Sequence, residues 1–395
     1  MKVLMVVPTP FFSDRGCHVR VYRSAIALRE QGHEVVLCTY PLGRDIDGVE
    51  TVRTWPVPWY RKLAAGPSWH KIYIDVMLTA LTRKWIRTWN PDVIHAHLHE
   101  GACVAYLARG SKRIPLVLDY QGSLSGEIAA HKFARAGGLL YRLFSWLEEF
   151  IEMRVDAIVT STANSAERLS EEPHTGSVPV AHTVDSVDTE HFRPGVNGLH
   201  IRMRYGIPEK MPVIVYAGLL NEYQGIDALL EALRILREKH AFHTLIIGYP
   251  NVQHYRSKAQ DMGLTANVTF TGQVRFEDLP AYLNAADVAV SPKHESSEGN
   301  GKLYAYMACG LPVAGFDTTS TRQILRDAGL LVKDGDTKAL ADALARLTLD
   351  KELAAALGAR ARAYVTSEDE DDAGALGAVY EVLVPDGSIF DEVVT

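Results

Sequence analysis

The chain has 395 residues, 47% of them apolar, with 41 Lys and Arg against 48 Asp and Glu, and that length predicts two or three domains rather than one. A formal charge of −7 excludes a general nucleic-acid binder, which carries a domain-wide basic excess. Cys17, Cys38, Cys103 and Cys309 form no CxxC pair or Cys/His cluster, so neither disulfides nor a zinc site is expected.

The opening MKVLMVVPTPFF is too short for a signal sequence with a cleavage site, and no run reaches the ~18 apolar residues of a membrane span. A cytoplasmic chain is expected. Residues 2 to 7 (KVLMVV) predict a strand, and after a Pro/Phe/Ser/Gly turn Ala25, Ile26 and Leu28 mark a helix ending near Gly32. The run 34 to 39 (EVVLCT) completes a β-α-β unit, which imposes a parallel sheet with right-handed crossovers. Further strands are predicted at 93 to 97, 116 to 120 and 157 to 161, separated by helix-length segments. The first 195 residues therefore read as a doubly wound α/β domain.

Beyond the Pro/Gly/Asn-rich stretch 193 to 198 the same rhythm restarts. Strands at 213 to 220, 243 to 249, 268 to 272, 288 to 293 and 312 to 316 predict a second Rossmann-like domain over 196 to 366. Open parallel sheets bind ligands beyond the carboxyl ends of their strands, so two in tandem suggest a site in the cleft between domains. A last helix is predicted within 367 to 384, returning to the first domain, with 385 to 395 as a fraying tail. The acidic run SEDEDD at 367 to 372 reads as a solvated helix start rather than a metal motif.

The most informative segment is SSEGNGKLYAYMACGLPVAG, residues 296 to 315. Gly299 and Gly301, with Asn300 between them, precede a helix-compatible run beginning at Lys302 and Leu303. Small residues at a helix entrance let backbone N–H groups approach an anion, although glycines of this kind also serve simple turns.

Taken in order, five motifs resemble the retaining glycosyltransferases of family 4, two-domain enzymes of GT-B fold. VPTPFFSDRGCHVR with GHEVVL is similar to that family's first loop and second strand. DVIHAHLHEG (92 to 101) is similar to its Asp-Val-x-His-x-His strand end. DSVDTEHFRP (185 to 194) resembles its linker motif Asn-Gly-Val-Asp-x-x-x-Phe-x-Pro, with Asp185 and Ser186 replacing Asn-Gly. EGNG and MACGLPV resemble its Glu-Gly-Phe-Gly and Met-Ala-Cys-Gly-x-Pro-Val. The resemblance implies transfer of a sugar from a nucleotide-sugar donor to a lipid-linked or glycan acceptor, with retention of configuration and no metal or other cofactor. It makes Glu298 the first Glu of the family's paired-Glu signature, near the donor sugar, and it gives His97 a place in the cleft near the reacting sugar.

The departures bear on how the donor is held. Ala305 stands where the signature's second Glu grips the ribose, in a segment one residue shorter. The family's phosphate-binding Gly-Arg-x-x-x-x-Lys-Gly reads Gly218, Leu219, Leu220, Asn221, Glu222, Tyr223, Gln224, Gly225, so both cations are gone. A charge-assisted phosphate contact contributes roughly 1.5 to 3 kcal/mol, so substitutes are needed; Lys293 and Lys302 are favoured over Arg322. In the first loop Gly16 allows close approach to the donor phosphate or the acceptor, with Asp14 and Arg15 beside it. Asp14, Arg15, His99, Gln121, Ser123 and Glu127 are read as acceptor-recognising, and Gly218, Asn221, Gln224 and Leu303 as donor-binding together with Gly16, Lys293, Gly299, Asn300, Gly301 and Lys302.

Residues 53 to 113 hold ten Lys or Arg against three Asp or Glu, and five of the six tryptophans: Trp55, Trp59, Trp69, Trp85 and Trp89. Basic and Trp-rich surfaces suit an anionic bilayer face, so peripheral contact with the inner face of the membrane is expected, with core packing of some Trp as the other reading. Besides an active transferase, the missing donor contacts leave two alternatives open: a transferase with an unusual donor, and a catalytically inactive homologue that binds a glycan or an active partner.

Overall fold

The computed structural model describes residues 1–384 apart from 64–67, 131–134, 136, 177, 295–298 and 369–370. Two open sheets, parallel throughout, form the frame. The first has seven strands: β1 (Lys2–Val7), β2 (Glu34–Thr39), β3 (Glu50–Arg53), β4 (Val93–His97), β5 (Leu116–Tyr120), β6 (Ala157–Thr160) and β7 (Val180–His182). They lie in the order β3-β2-β1-β4-β5-β6-β7. The second has six: β8 (Val213–Ala217), β9 (His243–Ile247), β10 (Val268–Gly272), β11 (Val288–Ser291), β12 (Val313–Phe316) and β13 (Gly329–Val332), ordered β10-β9-β8-β11-β12-β13. Helices cover both faces, so central strands such as β1 and β8 are apolar without alternation and buried almost end to end, and β4 is buried throughout although it carries His95 and His97.

The two sheets share one winding. In each, the first strand sits in the middle with chain running outward to either side, and the direction reverses between β1 and β4 and between β8 and β11. Helices at such a switch point diverge and leave a crevice above the carboxyl ends of the strands.

Three strands were absent from the sequence reading: β3, β7 and β13. All are sheet edges with a single neighbour, four residues or fewer, and none has a wholly buried pattern. Edge strands need only one apolar face, which removes the long apolar run that betrays a central strand. Conversely, the predicted strands 213 to 220, 243 to 249 and 288 to 293 extend past the observed ends, because the chain leaves the sheet into the loops that form the crevice floor. Gly225 is required there: at φ +74° a Cβ would lie 1.8 Å from the Pro292 carbonyl oxygen at the end of β11.

Helix Asp371–Leu383 packs against helix Gly16–Glu30 and β7. Leu376 and Tyr380 enter the core formed by Val3, Met5 and Val93, and the Tyr380 hydroxyl is hydrogen-bonded to His95 Nδ1. The chain thus closes back on the first domain after forming the second. The residues read as a fraying tail, 385 to 395, lie outside the described residues. Tyr380 is fully buried, so Tyr380→Ala should cost about 3 to 5 kcal/mol, measured as a lower urea midpoint for loss of first-domain structure; an unchanged midpoint would detach this helix from that domain.

Candidate active site

The crevice walls are built from strand ends. In the second domain, Lys302 opens helix Lys302–Ala308 and reaches back across the sheet end. Its Nζ donates to Gln224 Oε1 at 2.6 Å and to Asn300 Oδ1 at 3.3 Å, and lies 5.4 Å from the centre of the Tyr216 ring. Gly218 gives it passage, since a Cβ there would sit 2.9 Å from Lys302 Cε. The ammonium therefore stands beside Gln224, the residue that occupies the place of the family's phosphate-binding lysine. Lys293, 1% exposed, donates to the Gly299 carbonyl at 2.7 Å. Its charge lies directly beneath the glycine loop.

Asn300 anchors that loop. It is 2% exposed, and its amide donates to Ser291 Oγ at 2.9 Å and Thr321 Oγ1 at 3.1 Å, tying the loop to the end of β11 and to helix Thr319–Leu325. Asn221 lies in the loop after β8, its Oδ1 accepting from Asn251 Nδ2 at 3.3 Å. Leu303 is fully buried in the second domain's core, so the donor-binding role read for it does not fall to its side chain. Arg322 is paired with Asp317 at 2.8 Å on the surface. Glu298 lies outside the described residues.

The first domain supplies a buried polar cluster at the ends of β4 and β5. His97 Nδ1 is 2.7 Å from Asp119 Oδ2, and Gln121 Nε2 donates to the same oxygen at 2.7 Å. Arg20, from the first helix, donates to Asp119 Oδ1 through Nε at 2.9 Å and NH2 at 2.8 Å, to Asp185 Oδ1 at 2.7 Å and to Thr183 Oγ1 at 2.9 Å. Burial alone would raise the Asp119 pKa, but Arg20 and His97 outweigh it and hold the carboxyl well below the usual range. The carboxylate in turn fixes the His97 ring, whose Nε2 has no hydrogen-bond partner among the described residues. His95 stacks on His97 at 4.6 Å, and burial, then His97, pushes its pKa down to about 3.

His95, His97 and Asp119 bring potential ligand atoms within 4.8 Å of one another. A metal ion there would meet the guanidinium already bound to Asp119, so the arrangement suits hydrogen-bonded imidazole better than coordination. A second buried group, His99, Glu148 and Glu152, is occupied internally. His99 Nε2 is 2.9 Å from Glu152 Oε1, and His174 Nε2 is 2.7 Å from Glu152 Oε2.

These contacts revise several acceptor assignments. His99 is 2% exposed and spent on Glu152. Ser123 accepts from the Gly126 amide at 3.1 Å and pairs with Glu148 at 3.2 Å, so it shapes the start of helix Leu124–Ala130, to which Glu127 belongs. Asp14, at φ 54°, accepts from the Phe276 amide at 2.9 Å, Gln273 Nε2 at 2.9 Å and Arg44 at 2.7 Å. It is a strut between the domains. Arg15 is the N-cap of helix Gly16–Glu30, which Gly16 begins.

The two walls meet at the glycine loop. A Cβ on Gly299 would lie 3.0 Å from Ser161 Oγ, and one on Gly301 would lie 3.0 Å from Asp185 Oδ2. The glycines thus admit groups from the residue just after β6 and from the interdomain linker, a requirement not visible in the segment itself. Sequence reasoning missed Arg20 and Asp119. Asp119 had a readable signal, a carboxylate inside the apolar strand LVLDY; Arg20 had none, because its partners are 99 and 165 residues away.

Residues 199–364 match the family model "Glycosyl transferases group 1", and residues 15–208 match "Glycosyl transferase 4-like domain". D-inositol 3-phosphate glycosyltransferase of Geodermatophilus obscurus is 28% identical over 373 residues, covering 88% of this chain and 80% of that protein. GDP-mannose-dependent alpha-(1-6)-phosphatidylinositol monomannoside mannosyltransferase of Mycobacterium tuberculosis is 33% identical over 193 residues, 46% of this chain and 50% of that protein. Sucrose-phosphate synthase from Thermosynechococcus elongatus superposes with a TM-score of 0.80 at 21% identity, covering 97% of this chain and 98% of that one. Two facing parallel sheets of this winding form the GT-B fold. The chain belongs to the family 4 type of glycosyltransferase, an enzyme of transferase class EC 2.4.

Removing one partner of a buried ion pair costs about 3 to 5 kcal/mol, so Arg20→Gln should destabilise the first domain by that order and let burial raise the Asp119 pKa. In the wild type the depressed pKa gives stability that is present above the ordinary carboxylate pKa of about 3.9 and lost as pH falls through the lower folded value. The variant should lose stability at higher pH than the wild type in acid unfolding followed by circular dichroism; superimposable curves would contradict the network.

Proposed function

We propose that the enzyme takes a nucleotide-sugar donor, seats its diphosphate at the Gly299–Lys302 loop, and transfers the sugar with retention to a hydroxyl of a lipid-linked or glycan acceptor bound by the first domain. The observation that supports this reading is the Lys302 ammonium 2.6 Å from Gln224, a cation beside the position where the family motif has its phosphate-binding lysine. Breaking the glycosidic bond leaves charge growing on the β-phosphate, and Lys302, with Lys293 beneath the loop, would oppose it without a metal. His97, aligned by Asp119, would present Nε2 to a sugar hydroxyl or phosphate oxygen, and Glu298 would act as the donor-site acid. The relatives named above make inositol-containing acceptors the first to try.

Lys302→Ala should lower kcat/KM roughly 10- to 100-fold, the worth of one charge-assisted phosphate contact, while circular dichroism stays unchanged. Thermal shifts with UDP-, GDP- and ADP-sugars identify the donor. A ligand at 100 times its Kd adds ~2.7 kcal/mol, so absence of any shift would count against a nucleotide-sugar donor.

We also propose peripheral contact with an anionic membrane. Trp55, Trp59 and Trp69 are 82%, 69% and 78% exposed, and helix Leu139–Glu152 adds exposed Leu139, Leu143 and Trp146. Trp85 and Trp89 instead pack against the first-domain core, so the surface is smaller than the sequence window 53 to 113. No helix among the described residues is long and apolar enough to cross a membrane. Sedimentation with anionic vesicles should retain the protein at low salt and release it as salt rises; equal recovery with neutral vesicles would refute the contact.

A further inference from the structure

Helix Asp371–Leu383 reaches the residues at the end of β4, and on the proposed reading that His97 meets the transferred sugar this contact bears on the transfer itself. His95 and His97 stand two residues apart in β4, so both rings lie on one face of the strand. Each is 1% exposed, and the rings stack at 4.6 Å with 20° between their planes. Asp119 lies 2.7 Å and Gln121 3.4 Å from His97, both at Nδ1. Contacts at one atom leave tilt of the ring about that atom unrestrained by hydrogen bonds. The flat face of His95 removes this freedom.

The hydrogen positions follow from what each partner is able to accept. Asp119 is held ionised, so its oxygen only accepts, and His97 Nδ1 carries a hydrogen; in the neutral ring Nε2 is then bare. At His95 the order reverses. Tyr380 is fully buried, and burial, then Asp119, holds its pKa well above the ordinary value, so the hydroxyl keeps its proton. Among the described residues that hydroxyl is hydrogen-bonded to His95 Nδ1 alone. If Nδ1 carried a hydrogen, the hydroxyl proton would be buried without an acceptor, which is unfavourable. Nδ1 therefore accepts, and the neutral His95 ring carries its hydrogen on Nε2. His95 also borders a cavity of about 20 Å³ together with Arg20, Asp185 and Leu376, room for one water to take that hydrogen. Two stacked imidazoles thus hold their hydrogens on opposite nitrogens, one set by β5 and the other by the C-terminal helix.

We propose that Tyr380 is a positioning residue for sugar transfer: by holding the His95 ring in one orientation and one tautomer, it fixes the surface on which His97 rests, and so the direction in which His97 Nε2 accepts a hydrogen bond from a hydroxyl of the transferred sugar. Tyr380 belongs to a helix that follows the whole second domain. The first domain's share of the site is therefore complete only when the chain has returned to it.

Proton–nitrogen correlation spectra of the histidine rings in the full chain read the tautomers directly. In the wild type His95 should carry its hydrogen on Nε2 and His97 on Nδ1. Tyr380→Phe removes one oxygen and keeps the ring; His95 should then lose its single tautomer, and the His97 nitrogen resonances should move. Calorimetry compares UDP-glucose with UDP and GDP-mannose with GDP. For the pair that binds, the variant should weaken the nucleotide sugar about fivefold, the worth of one hydrogen bond, and leave the nucleoside diphosphate unchanged, a split that a general loss of structure would not produce. A wild-type spectrum with the His95 hydrogen on Nδ1 would overturn the proposal whether or not the variant folds, and so would a variant whose His97 resonances and affinities match the wild type. Wild-type His97 resonances that a bound nucleotide sugar leaves unmoved would strike the reading that His97 meets the sugar, and this role with it, while the two tautomers stayed as assigned.

Discussion

Arg20 sits in the first helix with its side chain 8% exposed, between Asp119 on one sheet strand and Asp185 on the linker that leads out of the domain. A guanidinium removed from water is tolerated only when its donors are met, and here two carboxylates and Thr183 meet them. The geometry of both walls follows from that pairing. Asp119 is held ionised and so fixes His97; Asp185 is held against the glycine loop of the other domain. One buried cation therefore joins the first sheet, the linker and the end of β4 to a loop that belongs to the second sheet.

In the second wall two lysines stand near the strand ends where the family's usual phosphate-binding side chains are missing. The loop after β8 keeps glycines at 218 and 225 but has no cation between them. Lys302 enters from a different element and reaches Gln224, while Lys293 is enclosed beneath Gly299. Position in space, rather than position along the chain, decides what a developing negative charge meets.

The sequence carried the fold well because central parallel strands are apolar runs, and it carried the family through motif order. It lost the edge strands β3, β7 and β13, whose one-sided burial leaves no run to read. Within the site, Lys293, Lys302, Asn300 and His97 were legible as residues beside strand ends and glycines. Arg20 was not, since its ion pairs span long separations that no local pattern encodes. Asp14, His99 and Ser123 were misread for a related reason: a polar residue in a loop near a strand end looks alike whether it faces a ligand, a neighbouring domain or a helix start.

The central claim is that the donor's diphosphate lies on the glycine loop with Lys302 in place of the displaced cation. A crystal structure with a nucleoside diphosphate bound tests it most directly. The account predicts a β-phosphate oxygen within hydrogen-bond distance of Lys302 Nζ, about 2.7 to 2.9 Å for a charge-assisted contact, beside the amides of Gly299 to Lys302. A diphosphate bound elsewhere, with Lys302 still turned to Gln224 and Asn300, would contradict it.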